Sequence, residues 1–311
     1  MQAYIARHFA DGEFTRAETR NTVCYQNRMG WTDWFVTDRL LFSHRVTAYT
    51  HETFRETFHD HTYYELNICR AGEVCFFAGD RTVSLRQGLV YLLRPNTVHT
   101  GKLLAPSVYD RYILYFTPDA FAFLTGFRPL LHFTEEQPTF FGLLDVRGTG
   151  QLFALLEQIE QELQADTPCS NALALADILR LFAVITGSFD RAAPQYTEVP
   201  ERIRQIRAYI DGNFQTLETV GDIAAHFSYS KEYITRLFTK YYNGHIYNYL
   251  TRKKISYGIT LLEAGYSITD ACYRSGFGNM TSFLRCFREA TGTTPSKYLS
   301  GLRIDSSRYI E

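Results

Sequence analysis

Two groups of residues have the types and spacing to do chemistry. The first is His59-Asp60-His61, then Glu65, with His99 further along. Three imidazoles and a carboxylate are a sensible ligand set for Zn, Mn, Fe or Ni. The same groups also suit the wall of a small-molecule pocket, or hydrogen-bonded structural roles. The second group is Arg236 and Arg285, each six residues after a good helix-capping residue, Ser230 and Asn279. Arginine grips guanine with two hydrogen bonds, so arginines at matched positions point to recognition of a duplex.

The arginines belong to a duplication. Ser230-Lys-Glu-Tyr-Ile-Thr-Arg236-Leu-Phe238 and Asn279-Met-Thr-Ser-Phe-Leu-Arg285-Cys-Phe287 are related by an offset of 49, which also relates Tyr249 to Tyr298. Upstream, Thr219-Val-Gly-Asp222 and Ser267-Ile-Thr-Asp270 fit a capping box with Asp in place of the usual Glu. A capped helix, a short turn and a second capped helix make a helix-turn-helix. On the second helix, Ile234, Leu237 and Phe238 in one copy, and Phe283, Cys286 and Phe287 in the other, form the apolar stripe. Glu232, Thr235 and Arg236 then point outward, as do Met280, Thr281 and Arg285.

Between the copies, His245 to about Glu263 reads as one helix with Ile246, Tyr249, Leu250, Ile255, Ile259 and Leu262 inward. At ~1.5 Å per residue it spans roughly 28 Å, which suits reading heads placed in successive major grooves, roughly 34 Å apart. Arg252-Lys253-Lys254 on this helix either lies near phosphates or forms a solvated face. Gly258, inside the helix, marks a bend or a close contact.

Charge distribution agrees. The 311 residues carry a net charge of −1, yet residues 201–301 hold 13 Lys and Arg against 8 Asp and Glu, a local surplus of +5. A basic block on a near-neutral chain is the footprint of a polyanion-binding module. Six scattered cysteines form no C-x-x-C pair, so reduced thiols are expected rather than a zinc ribbon. No stretch reaches the ~20 apolar residues of a membrane helix, and the N-terminus lacks the order of a secretion signal. A cytoplasmic location is expected.

The elements that must position the histidines are of another kind. Up to about residue 145, short runs such as Glu65-Leu-Asn-Ile-Cys69, Val74-Cys-Phe-Phe77, Leu89-Val-Tyr-Leu-Leu93 and Tyr112-Ile-Leu-Tyr-Phe116 alternate with turn residues at Gly72, Gly88 and Pro95-Asn96. That pattern predicts a sandwich or barrel. Leu152, Leu155, Leu156, Ile159 and Leu163 then recur at helical spacing, and a second helix from about Asn171 to Thr186 is apolar on nearly every face. The two helices either cover the barrel or pair with a second copy of the chain. Residues 189–200, polar with two prolines, read as a linker.

Residues 202–299 resemble the DNA-binding domain of the AraC/XylS family of bacterial transcription regulators. Tyr209-Ile-Asp-Gly-Asn213-Phe214 looks like its opening helix. Arg236-Leu-Phe238, Gly276-Phe277, Ser282-Phe283, Arg285 and Phe287 look like its signature, and Thr291-Gly-Thr-Thr-Pro295-Ser-Lys-Tyr298 like its closing segment. The resemblance places Glu232, Thr235 and Arg236, and Met280, Thr281, Ser282 and Arg285, where such proteins read bases. The spacing His59, His61, Glu65 and Gly72, then Gly88, Pro95 and His99, resembles the two cupin motifs.

The resemblances imply a multidomain α+β chain. It has an N-terminal cupin-like β-barrel with flanking helices and a C-terminal all-α domain of two helix-turn-helix units joined by a long helix. The expected divisions are 1–148 (effector-sensing barrel), 149–188 (helical pair), 189–200 (linker), 201–301 (DNA-binding domain) and 302–311 (tail). The function implied is a sequence-specific DNA-binding transcription regulator under a small-molecule effector, with a sugar as one candidate. His59, His61, Tyr63, Glu65, Tyr91 and His99 are candidate effector contacts; the aromatics Tyr63, Tyr64, Tyr91, Trp31 and Trp34 either line the pocket or are core residues, the commoner role for any one of them. Promoter DNA, an effector, a second copy as homodimer and, for an activator, RNA polymerase are the expected partners. No catalytic residue, cofactor or membrane association is expected. The alternative is a metal-dependent cupin enzyme or metal sensor fused to a DNA-binding module, with metal on His59, His61, Glu65 and His99.

Overall fold

The computed structural model describes residues 14–27, 31–49, 58–72, 74–78, 81–103, 106–117, 119–121, 139–143, 146–189, 193–194, 197–242 and 244–306. The strands are β1 (Phe14–Arg16), β2 (Val23–Asn27), β3 (Trp31–Thr37), β4 (Leu40–Tyr49), β5 (Tyr64–Ala71), β6 (Val74–Ala78), β7 (Arg81–Ser84), β8 (Leu89–Leu93), β9 (His99–Leu103), β10 (Ser107–Phe116) and β11 (Thr139–Leu143). They form a large antiparallel sheet, β1-β2-β3-β4-β10-β5-β8-β11, facing a small one, β7-β6-β9. The expected β-rich cupin-like domain is present as two facing sheets.

Period-two alternation decides what each strand shows to each side. On β10, Tyr112, Leu114 and Phe116 join Leu66 and Ile68 of β5 and Val90 and Leu92 of β8 in one core. The opposite face carries Tyr109, Arg111, Ile113 and Tyr115. The large sheet is covered on both sides, so all of Tyr64–Cys69 and Leu89–Leu93 is buried; Leu89–Leu93 reads as a continuous apolar run, whereas Tyr64–Cys69 carries the buried polar residues Glu65 and Asn67 on its cavity side.

The cover on the outer face is helical. α1 (Val146–Gln164) and α2 (Ser170–Phe189) pack on each other. Leu152, Leu155, Leu156, Ile159, Ile178, Leu181, Phe182 and Ile185 meet the sheet. Of the two roles open for this pair, the fold shows the cover. His44 stacks on Tyr112 at 4.1 Å and reaches Asp110 and Glu160 at 3.0 Å each, tying α1 to β4 and β10. Burial alone would lower the pKa of His44, but the two carboxylates outweigh it and raise it to about 9.

The stretch expected to be a linker is tied to both sheets. β12 (Ala193–Pro194) pairs with β11, and β13 (Thr197–Glu198) pairs with β7. Pro194 permits this because an edge pairing needs few donors, while Pro200 stands just before the helix Glu201–Asn213.

Seven further helices follow among the described residues: α3 (Glu201–Asn213), α4 (Val220–His226), α5 (Lys231–Tyr242), α6 (Ile246–Glu263), α7 (Ile268–Arg274), α8 (Met280–Thr291) and α9 (Pro295–Ser306). α9 runs through the first part of the expected 302–311 tail; residues 307–311 lie outside the described residues. The caps explain the starts. Thr219 accepts from Asp222 N while Asp222 accepts from Thr219 N, a closed capping box. Ser267 accepts from Asp270 N, and Asn279 from Ser282 N. α8 stops at Gly292, whose φ of 72° ends the helix in the left-handed region.

The helix-turn-helix bend also needs a left-handed residue. In the first unit it is Ser228 (φ 55°), and in the second Gly276 (φ 88°). Only glycine serves at the second: a Cβ there would lie 2.3 Å from the Gln215 carbonyl oxygen. Gly258 marks a close contact, since a Cβ there would lie 2.9 Å from the Phe283 ring.

Candidate functional site

A cavity sits between the two sheets. Its wall is Arg45, His59, Glu65, Val74, Phe76, Tyr91, His99, Tyr109, Arg111, Ile113 and Tyr115. His59 and His99 are joined through their backbones, His59 N donating to His99 O (3.0 Å) and His99 N to His59 O (2.9 Å). His61 Nε2 lies 2.8 Å from Glu65 Oε2, and His61 Nδ1 lies 2.7 Å from Tyr63 O. Asn67 donates to the other Glu65 oxygen. Burial opposes ionisation of Glu65, yet the hydrogen bonds from His61 and Asn67 outweigh it and hold the carboxyl down to about 2.

His99 behaves differently. Its burial pushes the pKa down to about 4, so the ring is neutral near pH 7. Nδ1 faces Thr97 O at 2.8 Å, which places the single ring proton there. Nε2 is left as a bare lone pair, buried and without a hydrogen-bond partner among the described residues, 3.7 Å from a Glu65 oxygen that is also an acceptor.

The structure brings together part of the expected set. Ligating atoms of His61, Glu65 and His99 lie within 4.8 Å of one another, while His59 is outside that trio. Tyr91 lines the cavity. Tyr63 does not; it stacks on His61 at 4.1 Å and packs with Leu41 and Ile113. Trp34 and Tyr64, offered as pocket aromatics, belong to the helix-covered core, Trp34 against Phe42 and Tyr64 against Phe116. Their strand parity puts them on the far face of the sheet.

Sequence reasoning missed two arginines. Arg45 on β4 and Arg111 on β10 are directly opposite in the strand register and only 4% and 5% exposed. Arg45 lies over Trp31 at 4.6 Å and Tyr115 at 5.6 Å; Arg111 lies over Tyr109 at 4.1 Å. Arg45 also donates to Ser43 Oγ (2.9 Å) and pairs with buried Asp33 at 3.4 Å. The available signal was a single arginine inside each β-prone run; nothing in either run told that the two face each other.

The DNA-facing candidates divide cleanly. Arg236 and Arg285 are exposed, as are Glu232 and Thr281; Thr235 and Ser282 are half-buried. Lys231, Glu232, Thr235, Arg236, Thr239 and Lys240 line one shallow groove along α5. Met280 is half-buried against the core of its own unit, which limits its reach. Arg285 is engaged with Glu289 at 3.1 Å, both exposed. Such a pair contributes little and can exchange for a phosphate or base.

Arg252-Lys253-Lys254 is neither a phosphate clamp nor a solvated face. Arg252 is bonded to the Asp60 carboxylate and donates to Asp60 O at 2.7 Å. Lys253 pairs with Asp211 at 3.3 Å, and Lys254, 7% exposed, donates to Gly276 O at 2.6 Å. The expectation fails because α6 is buried by neighbours on several sides, which the charges of the triplet could not reveal.

Asp60 stands between His59 and His61, so the sensor motif itself touches the DNA-binding region. Phe58 enters the core of the first helix-turn-helix unit, 6.0 Å from Phe238 and 5.4 Å from Tyr249 by ring centroid. A Cβ on Gly244 would lie 2.2 Å from the Phe58 ring. Burial would raise the Asp60 pKa, but Arg252 beside it holds it low.

Comparison with known proteins gives a consistent result. The model of an AraC-like ligand binding domain matches residues 42–183, and that of a helix-turn-helix domain matches 223–301. The HTH-type transcriptional activator RhaS of Enterobacter sp. (strain 638) is 27% identical over 264 residues, covering 78% of this chain and 87% of that protein. The RhaS of Citrobacter koseri is 27% identical over 263 residues with the same coverage. Among solved structures, apo ToxT from Vibrio cholerae strain SCE256 is 15% identical with a TM-score of 0.37, covering 83% of this chain and 97% of that one.

Proposed function

The chain belongs to the AraC family of transcription regulators, and from that premise we propose that Arg236 and Arg285 are its principal base-reading side chains, flanked by Glu232, Thr235, Met280, Thr281 and Ser282. The observation that carries this is the exposure of both arginines at matched positions of two capped, duplicated helices whose other faces are buried. Arg236→Ala or Arg285→Ala should weaken operator binding by ~1–3 kcal/mol without changing the fold. Gel-shift titration checks this, with circular dichroism as control. Operator affinities equal to wild type in both variants would overturn the assignment.

The effector is read as entering the cavity between the sheets, where Arg45, His59, Glu65, Tyr91, His99 and Arg111 meet. What supports control of DNA binding is continuity. His59 lines the cavity, and its chain neighbours Phe58 and Asp60 hold the first helix-turn-helix unit and α6. A ligand that favours one setting of this loop shifts the placement of the reading heads, provided it binds the two settings unequally. The finer reading is an activator that touches RNA polymerase, acts as a homodimer and is not an enzyme; the activator part rests on the names of the RhaS relatives. Analytical ultracentrifugation with and without operator tests the dimer.

A second reading has one observation in its favour, the close donors of His61, Glu65 and His99. A metal bound there would be a Lewis acid or a structural tie. Against it, His61 Nε2 already holds Glu65, and two arginines line the same space. Metal analysis of protein purified without added metal decides: a full equivalent, lost in His61→Ala, would favour this reading.

A further inference from the structure

Resting on the reading of α5 and α8 as the base-reading helices, we propose that Lys254 is a positioning residue that sets which spacing of operator half-sites the protein accepts, by holding the turn of the second helix-turn-helix unit against the first unit.

A helix joining two units does not by itself fix their relation. A second unit free to pivot about α6 would follow half-sites at several spacings. The structure has a joint beside the rod. Lys254 lies in the middle of α6 and is only 7% exposed. Its Nζ donates to Gly276 O at 2.6 Å, in the turn between α7 and α8. Hydrogen bonds from a charged donor are roughly twice as strong as neutral ones. Burial lowers the Lys254 pKa, and Glu218 and Asp222 of the first unit oppose that shift by favouring the charged amine. One ammonium therefore stands where α6, the first unit and the turn of the second unit meet.

Two further contacts act on the same joint. Gln215, just beyond α3 of the first unit, donates from Nε2 to Arg274 O at 3.1 Å, at the end of α7. Its backbone presses on Gly276, where a Cβ would lie 2.7 Å from Gln215 Cα. Beside it, Phe214 meets Tyr257 of α6 edge to face at 5.6 Å. The first unit thus touches the turn that carries the second reading helix, and Lys254 bonds to that turn from the rod. Adding one base pair between half-sites moves one of them by about 3.4 Å along the duplex and roughly 35° around it. A joint that does not pivot meets this shift by giving up the base contacts of one unit.

Duplexes selected from a random pool by the full-length wild-type protein supply the probe. They are remade with one or two base pairs inserted or deleted between the half-sites, and gel-shift titration gives the affinity at each spacing. Wild type should bind the altered duplexes about tenfold or more weakly, the scale of one lost base contact. Lys254→Met keeps the buried chain and removes the donor. It should bind the selected spacing about three- to tenfold more weakly, with the further loss on altered spacings reduced to about threefold or less. Gln215→Ala, at an exposed side chain, should flatten the profile part of the way, and it carries the test if circular dichroism shows Lys254→Met unfolded. A flat wild-type profile would overturn the proposal. So would a uniform loss of affinity in Lys254→Met that leaves the wild-type ratio between spacings intact, because that is the mark of a merely structural role. With Lys254→Met unfolded, an unchanged profile in Gln215→Ala would overturn it equally. Failure of the base-reading assignment shows separately, as wild-type affinity of Arg236→Ala and Arg285→Ala on the selected duplex.

Discussion

The two helix-turn-helix units are built alike and held differently. In each, a tyrosine from beyond the reading helix packs on its phenylalanine and bonds a carboxylate. Tyr249 lies 5.4 Å from Phe238 and donates to Asp211 at 2.8 Å; Tyr298 lies 5.7 Å from Phe287 and donates to Glu263 at 2.6 Å. The first unit shares its core with Phe58, Phe77 and Val98 of the sensor domain, whereas the core of the second contains no sensor residue among those described. The offset that maps Tyr249 onto Tyr298 maps Arg252, the partner of Asp60, onto Gly301. A duplicated module has thus been made asymmetric at its contacts: one copy is docked to the sensor and the other depends on α6. The loop beside the cavity touches the first unit directly, whereas the second unit is joined to it through α6.

Breaking the dock should have the largest effect. Arg252→Ala leaves the Asp60 carboxylate buried without its guanidinium and should cost about 3–5 kcal/mol of stability, seen as a lowered unfolding midpoint. A change under ~1 kcal/mol would mean that the dock contributes little and that the two units are equivalent after all. Next come the reading heads. A mismatch in the operator half read by the first unit should cost wild-type protein ~1–3 kcal/mol and cost Arg236→Ala much less, while Arg285→Ala should show the same blindness in the other half. If both variants lose the same half, the units do not read separate sites.

The sensor supplies a pH control remote from both units. His44 has a folded pKa raised to about 9 against an ordinary value near 6.5. Its contribution is therefore complete below about pH 6.5 and is lost as pH rises through 9. Thermal unfolding should show a decline on the order of 1 kcal/mol over that window, after allowance for solvent screening, and His44→Gln should flatten it. The caps come next: Thr219→Ala and Ser267→Ala should each cost ~1 kcal/mol, and the comparison sharpens if the first also alters effector response while the second does not. The smallest effect is at Glu289. Glu289→Ala frees Arg285 and should strengthen DNA binding by a few tenths of a kcal/mol at low salt, with no counterpart in the first unit, where Arg236 lies 5.9 Å from the Tyr233 ring centroid.

Much of the DNA-binding half was legible before any coordinates. Capping residues, apolar spacing and turns act within a few residues of one another, so Ser230, Asn279, Thr219 and Ser267 announced their helices, and the exposure of Arg236 and Arg285 followed from helical geometry. The sensor half was legible in its strands and only partly in its cavity. His59, Glu65, Tyr91 and His99 line it, but Trp34 and Tyr64 lie on the opposite face: β5 alternates Tyr64, Leu66 and Ile68 with Glu65 and Asn67, and which of the two faces fronts the cavity is set by what packs on the sheet, not by the alternation itself.

The chain by itself determined what local physics can determine: where helices begin, which of their faces are apolar, and that two modules repeat. Tertiary structure alone decided that Arg45 and Arg111 face each other across neighbouring strands, and that Arg252 belongs to Asp60 rather than to DNA. Both pairings join residues far apart along the chain, Arg252 and Asp60 by 192 positions. Strand register and domain docking set such meetings, and no periodicity within either segment encodes its partner.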